Sequence, residues 1–203
     1  MFTGIVSELG TVATATPARG GATFTIAAPQ TSVGLAVGDS ISVNGVCLTA
    51  VGVGDGMFTA EAVSETLQRT NLGDLNGGSV VDLERPVAAA GGRFDGHVVQ
   101  GHVDGVGTIR SIESEGTSKR INITAPAGLA RYLVEKGSVT ADGVSLTITA
   151  VSAVADHDPW FEIVLIPHTL DVTVLGVRAV GDCVNLEVDI LAKYVERLME
   201  ARG

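Results

Sequence analysis

The sequence predicts an all-β protein built by internal duplication. Two similar antiparallel barrels, closed or nearly closed, are followed by one C-terminal helix. Three observations carry this. A hairpin motif occurs twice, as Asn44-Gly45-Val46-Cys47-Leu48-Thr49 and Asp142-Gly143-Val144-Ser145-Leu146-Thr147. Four blocks, 1–12, 40–49, 65–73 and 78–84, return in the same order about 100 residues later, with 18 of 38 positions identical. Such a period means duplicated domains, because solenoid units run to about 20–50 residues. Each copy also holds about six short strands punctuated by Gly, Asp and Pro, and a closed barrel is the economical way to protect so many edges.

The elements follow in order. Gly4-Ile5-Val6…Gly10-Thr11-Val12 reads as a first strand, echoed by Gly101-His102-Val103…Gly107-Thr108-Ile109. Thr25-Ile26-Ala27-Ala28-Pro29 returns as Asn122-Ile123-Thr124-Ala125-Pro126. The Asn-Gly and Asp-Gly pairs tolerate two successive positive φ values, which a two-residue type I′ hairpin requires. After each turn the side chains alternate: Val46, Leu48 and Ala50 point to one face, Cys47, Thr49 and Val51 to the other. Each copy thus shows one apolar face and one face with a small polar pair, Cys/Thr or Ser/Thr. The register between copies drifts from 98 to 103 residues, so one insertion is required. Ala155 to Pro159 reads as the longer loop that holds it. Pro126 to Lys136 predicts a short helix, and Ala88 to Gly92 a linker. From Asp189 the period changes. Ile190, Leu191, Tyr194, Val195, Leu198 and Met199 recur at helical spacing, with Lys193, Glu196, Arg197 and Glu200 opposite. The domains are expected at 1–95, 96–188 and 189–203. The helix lies outside both repeats, so its apolar stripe needs a partner: its own barrels or another subunit.

Bulk properties exclude several classes. The chain has 203 residues, 45% hydrophobic but only 4% aromatic, with 26 glycines. Its net charge is −10 with no basic run, which argues against nucleic acid, whose phosphates need clustered Lys and Arg. Two cysteines, Cys47 and Cys183, are too few for a disulfide framework and suit a reducing, cytoplasmic setting. The N-terminus lacks signal-peptide features, and no apolar run is long enough to span a membrane.

Three features bear on chemistry. Cys47 reads either as a nucleophile or as a small polar wall residue; Ser145 at the matching place favours the wall. His97 and His102, near Asp95 and Asp104, match no strong metal signature, so no metal is assigned. Lys136 stands where the first copy has Gly38. Two similar pockets with unequal polar equipment suit two molecules of one ligand in two roles.

The motifs Met1 to Val6, Asn44 to Thr49, Glu65-Thr66-Leu67…Thr70-Asn71-Leu72-Gly73, Gly101-His102-Val103-Asp104 and Asp142 to Thr147 resemble riboflavin synthase of the alpha-chain type, over essentially the whole chain. The resemblance implies two six-stranded Greek-key barrels and a homotrimer assembled through the C-terminal helix. It implies an activity in riboflavin biosynthesis: two molecules of 6,7-dimethyl-8-ribityllumazine exchange a four-carbon unit to give riboflavin and 5-amino-6-ribitylamino-uracil. It implies neither metal nor redox cofactor. One lumazine would bind each barrel, and an N-terminal barrel would face the C-terminal barrel of a neighbouring subunit. The N-side pocket would use Gly4, Ile5 and Val6; Cys47, Leu48 and Thr49; Glu61, Ala62, Val63, Ser64, Glu65 and Thr66; and Gly101, His102 and Val103. The C-side pocket would use Lys136; Ser145, Leu146 and Thr147; and Val164, Leu165, Ile166, Pro167, His168 and Thr169. His102, Cys47 and Ser145 are expected to handle protons, with Asp142 and Lys136 nearby and Phe2 close to the reacting rings. The chain departs from the usual family pattern at Asp95 and Val174. A second class remains open, a non-catalytic lumazine- or flavin-binding antenna protein. Retention of Lys136, Asp142, Ser145 and Thr147 favours the enzyme.

Overall fold

The computed structural model describes residues 1–88 and 91–201; Ala89 and Ala90 of the expected linker, and Arg202 and Gly203 after the final helix, lie outside the described residues. Twelve strands form two closed barrels. The first contains β1 (Glu8–Ala18), β2 (Gly21–Ala27), β3 (Ser40–Val43), β4 (Val46–Gly54), β5 (Met57–Val63) and β6 (Val80–Glu84), in the spatial order β1-β2-β5-β4-β3-β6. The second contains β7 (Gly105–Glu115), β8 (Ser118–Thr124), β9 (Ser138–Ala141), β10 (Val144–Val151), β11 (Trp160–Leu165) and β12 (Cys183–Val188), in the matching order. Within each barrel three hairpin-connected strands are followed by a fourth that returns beside the first of them, which is a Greek key. All pairings are antiparallel, and β-bulges fall at matching places, between Ala50 and Gly52 in β4 and between Ile148 and Ala150 in β10. Such bulges bend strands at barrel corners.

Period-2 alternation fills each barrel. Phe24, Ile26, Ile41, Leu48, Phe58 and Leu83 pack inside the first. Ile121, Ile123, Val139, Ile148, Phe161 and Leu186 pack inside the second. The repeated turns adopt the positive φ angles expected of type I′ hairpins: 46° and 78° at Asn44 and Gly45, 48° and 86° at Asp142 and Gly143. The two turns sit back to back. A Cβ on Gly45 would fall 2.7 Å from the Gly143 nitrogen, so both glycines are required for the barrels to meet.

Two short helices, α1 (Ser64–Arg69) and α2 (Pro167–Val172), follow β5 and β11. At six residues each they are too short to show helical periodicity. The helix expected within 126–136 forms as a 3-10 segment, Ala127–Tyr132. The last helix, α3 (Ile190–Glu200), is capped by Asp189, whose side chain accepts from the Leu191 N–H. Glu196 receives Tyr132 and Arg131, and Lys193 pairs with Asp104, so this face of α3 is tied to the second barrel. Leu191, Tyr194, Val195, Leu198 and Met199 remain exposed on the other.

One expectation changes here. The first strand begins at Glu8, not Gly4, because Gly4 takes a φ of +78° and its carbonyl accepts the Ser145 N–H of the other barrel at 2.8 Å.

Between the barrels lies a buried polar network, not an apolar seam. Asp82 N–H donates to Asn44 Oδ1 at 2.8 Å, and Asn185 N–H donates to Asp142 Oδ1 at 2.9 Å. Asp82 Oδ1 accepts the Val174 N–H as Asn185 Oδ1 accepts the Asn71 N–H. Arg178 grips Asp142 Oδ2 through two nitrogens. The symmetry is incomplete, and the buried Asn44 Nδ2 has no hydrogen-bond partner among the described residues. Asn185 Nδ2 donates to the Asn44 carbonyl and to Asn71 Oδ1, whereas the matching Asp82 Oδ2 is buried without a hydrogen-bond partner. Burial pushes the Asp82 carboxyl well above its ordinary value of 3.8. The folded protein therefore holds that proton to higher pH than the unfolded chain, and stability falls as pH rises through the interval from 3.8 to the raised value. Asp82→Asn removes the unpaired acid and installs the donor that Asn185 already supplies. It should stabilise the fold by about 1 kcal/mol at pH 8, with the gain shrinking below pH 4. Urea titrations at both pH values read this directly; a loss at pH 8 contradicts it.

Candidate active site

The ladder between β4 and β5 is incomplete. It runs from Ala50 to Gly54 on β4, while Val46 to Thr49 pair only with β3. β10 behaves alike, meeting β11 only from Ile148. Each barrel thus splays open at one place, beside the residues after the hairpin turn. Parity fixes which groups face the gap. Val43 and Val46 close the two-residue turn as a hydrogen-bonded pair, so Cys47 and Thr49 direct their backbone N–H and C=O away from β3. Ser145 and Thr147 do the same in the second barrel.

Each gap is partly filled by the other repeat. The Cys47 N–H donates to the Gly101 carbonyl at 2.8 Å, and the Ser145 N–H donates to the Gly4 carbonyl at 2.8 Å. A Cβ on Gly101 would lie 2.6 Å from Cys47 Cβ, and one on Gly4 would lie 2.6 Å from Ser145 Cβ. Both glycines hold φ near +77° to +78°, so approach and conformation demand glycine together. Val103 packs on the first core and Val6 on the second.

This crossing corrects the expected grouping. Gly4, Ile5 and Val6 belong with Ser145 on the second barrel, not with Cys47. Gly101 lies against Cys47, and His102 and Val103 follow it in the chain. Val6 and His168 line one cleft of about 500 Å³ together with Ser7, Asp171 and Val172. Glu61 to Val63 end β5 and Ser64 to Thr66 open α1; Val164 and Leu165 end β11, with Ile166 to Thr169 leading into α2. The two groups are repeat-related and flank the two gaps.

Other expected residues take different places. Phe2 is fully buried and bridges to Val99, with its N–H donating to the Val99 carbonyl at 2.8 Å. It anchors the crossing segments to one another. Asp142 is also fully buried, and its carboxylate is consumed by Arg178, Asn71 and Asn185. Its role is in the inter-barrel network, because its turn aims the side chain back between the barrels. Val174 enters that network through its backbone alone, and Asp95 pairs with Arg93 at the surface. Cys47 is a free, half-buried thiol. His102 is exposed. Lys136 is exposed and holds φ +66°, where its counterpart Gly38 holds +96°. A left-handed non-glycine residue costs about 1 kcal/mol relative to glycine.

His97, singled out in the sequence beside Asp95, stands next to Ser145 at the second gap. Its Nδ1 lies 2.7 Å from Ser145 Oγ, and its Nε2 is buried without a partner. Burial lowers its pKa from 6.5, against a smaller opposing pull from Asp189. A neutral imidazole beside a hydroxyl is the arrangement of a general base on a weak acid. Among the described residues no group of three or more His, Cys, Asp or Glu side chains is placed to hold a metal ion, and no helix is long and apolar enough to cross a membrane.

Two six-stranded Greek-key barrels, each splayed beside a small polar pair, define a duplicated small-molecule-binding class. The lumazine binding domain model matches twice, at residues 3–86 and 100–189. The riboflavin synthase of Mycobacterium tuberculosis is 52% identical over 204 residues, covering 100% of both chains. Those of Actinobacillus pleuropneumoniae and Bacillus subtilis are 45% and 40% identical, each covering 98% of this chain and 90% of the relative. The crystal structure of LumP complexed with flavin mononucleotide superposes with a TM-score of 0.80 at 24% identity, over 93% of this chain and 99% of the other. The chain belongs to the lumazine-binding family, and the three relatives named above are riboflavin synthases.

His97→Ala and Ser145→Ala should each lower turnover by on the order of 10²-fold, with the double variant no worse than either, because the two act as one unit. The acid limb of wild-type kcat/KM should lie below pH 6.5, since burial keeps His97 of the free enzyme neutral to lower pH. Additive losses in the double variant contradict the pairing.

Proposed function

We infer that this chain catalyses the last step of riboflavin formation, the dismutation of 6,7-dimethyl-8-ribityllumazine. Two lumazines exchange a four-carbon unit, giving riboflavin and 5-amino-6-ribitylamino-uracil. The observation that carries this is full-length identity of 40–52% to riboflavin synthases. The antenna reading is not favoured: the LumP structures stand at only 23–24%.

The backbone supports the ligand class. The outward N–H and C=O groups at Thr49, and again at Thr147, offer a donor beside an acceptor. That pattern complements the amide edge of a pyrimidinedione, and its duplication suits two copies of one ligand. The substrate's 7-methyl group is acidic because its carbanion delocalises into the pteridine. The protein's task is then to hold two rings in register and to move protons, which is catalysis by proximity and general acid–base action. Ser145 with His97 handles protons on the C side, and His102 with Cys47 on the N side. Lys136 adds a cation to one pocket only, which makes the two lumazines inequivalent. No metal or redox partner has a step in this scheme.

The working form is a cytoplasmic homotrimer joined through α3. Leu191, Tyr194, Val195, Leu198 and Met199 leave an apolar stripe exposed while the helix's other face is pinned by Glu196 and Lys193. Ile5 and His102 both point outward, where a neighbouring barrel would meet them. The first pocket of one subunit would then face the second pocket of the next.

Purified protein treated with chelator and given only 6,7-dimethyl-8-ribityllumazine should form one riboflavin for every two lumazines consumed. Tight binding without product would instead identify an antenna protein. Leu198→Glu, which places a charge in the seam, should yield monomers by sedimentation and reduce turnover at least tenfold while leaving the barrels folded. An unchanged oligomer removes α3 from the seam.

A further inference from the structure

Two buried glutamates occupy matching places at the ends of the last barrel strands. Glu84 ends β6 and is 7% exposed; Glu187 lies in β12 and is 3% exposed. Among the described residues neither pairs with a cation. Each spends its carboxylate chiefly on main chain. Glu84 Oε1 accepts the Thr3 N–H at 2.7 Å and the Thr3 hydroxyl at 2.9 Å, and Oε2 accepts the Gly4 N–H at 3.0 Å. Glu187 Oε1 accepts the Gln100 N–H at 2.7 Å, and Oε2 accepts the Gly101 and His102 N–H groups at 2.9 Å each. A carboxylate accepts only, and its two oxygens can take several donors at once, so it suits a row of adjacent N–H groups. Glutamine would turn one oxygen into a donor facing donors.

The segments held in this way are those that cross. Glu84 stands in the first barrel, yet the Gly4 it holds presents its carbonyl to Ser145 of the second. Glu187 stands in the second barrel, yet the Gly101 it holds presents its carbonyl to Cys47 of the first. We propose that Glu84 and Glu187 are positioning residues acting crosswise: each sets the geometry of the pocket on the barrel it does not belong to. The consequence for chemistry rests on reading these pockets as the two lumazine sites. Glu187 fixes the backbone of His102, and Glu84 fixes the strand of chain against which Ser145 and His97 are aligned. His97 donates its own N–H to the Thr3 carbonyl, so Thr3 links the glutamate to the Ser145–His97 pair.

The test uses isotope-labelled full-length protein, the variants Glu84→Gln and Glu187→Gln, and riboflavin as an unreactive probe of both pockets. Glu187→Gln should displace the Cys47 amide resonance, leave that of Ser145 in place and weaken riboflavin at the first barrel only. Glu84→Gln should do the reverse. Each variant should lose at least tenfold in kcat per folded molecule. A same-barrel pattern overturns the proposal, as does a lower melting temperature with amide resonances and turnover unchanged, the mark of a purely structural role. Should a variant fail to fold, an acid titration of the wild type replaces it. The Cys47 amide should then follow the Glu187 carboxyl carbon with a common midpoint, and the Ser145 amide should follow Glu84; different midpoints overturn it. Wild-type protein that makes no riboflavin while showing the crosswise amide pattern rejects the enzymatic reading and leaves the clamps standing.

Discussion

Two backbone hydrogen bonds, Gly101 carbonyl to Cys47 N–H and Gly4 carbonyl to Ser145 N–H, are the constraint on which the rest of the site depends. A barrel whose ladder opens leaves strand-edge amides without partners, and buried edges of that kind are costly. Here the opening is answered by chain from the other repeat, and only in part. The first N–H of each edge is satisfied, and the groups at Thr49 and Thr147 remain directed outward. A pocket with a defined donor and acceptor edge results from strand geometry alone. The two glycines follow from it, since any Cβ would enter the facing strand.

The same crossing joins the barrels into one unit. Each leading segment is gripped by a glutamate of its own barrel and applied to the other, while the back-to-back turns share a polar network around Asp142 and Asn185. Polar seams of this type specify a single arrangement more than they add stability. On that shared frame the side chains diverge. The first gap has Cys47, with His102 in the segment beside it; the second has Ser145 and His97. These two histidines come from neighbouring positions of a single segment, with opposite exposure: His102 is open to solvent and His97 half-buried. Near-identical pockets that bind one ligand can in this way treat its two copies differently.

Much of this was legible in the sequence because duplication and turn chemistry are local signals. The Asn-Gly and Asp-Gly turns, the alternation after them and the apolar stripe of the final helix all follow from periods of two and 3.6. What the sequence hid was the exchange of segments. Nothing local reports that the Gly4 carbonyl will cross to Ser145. His97 is visible in the sequence beside Asp95, but nothing local reports that its ring meets the Ser145 hydroxyl. Glu84 and Glu187 stood inside a repeated block, yet a glutamate that hydrogen-bonds main chain looks like any other strand-end acid. Asp142 misled in the opposite direction, as a carboxylate next to a pocket motif that folding turns inward.

The central claim is that each pocket is completed by the other repeat. A crystal structure of the protein with riboflavin bound tests it most directly. One ring should lie along Cys47 to Thr49 in contact with Gly101 to Val103, and another along Ser145 to Thr147 in contact with Gly4 to Val6. A ring contacting Gly4 to Val6 and Cys47 to Thr49 of one subunit together, or rings seated away from both gaps, would contradict the account.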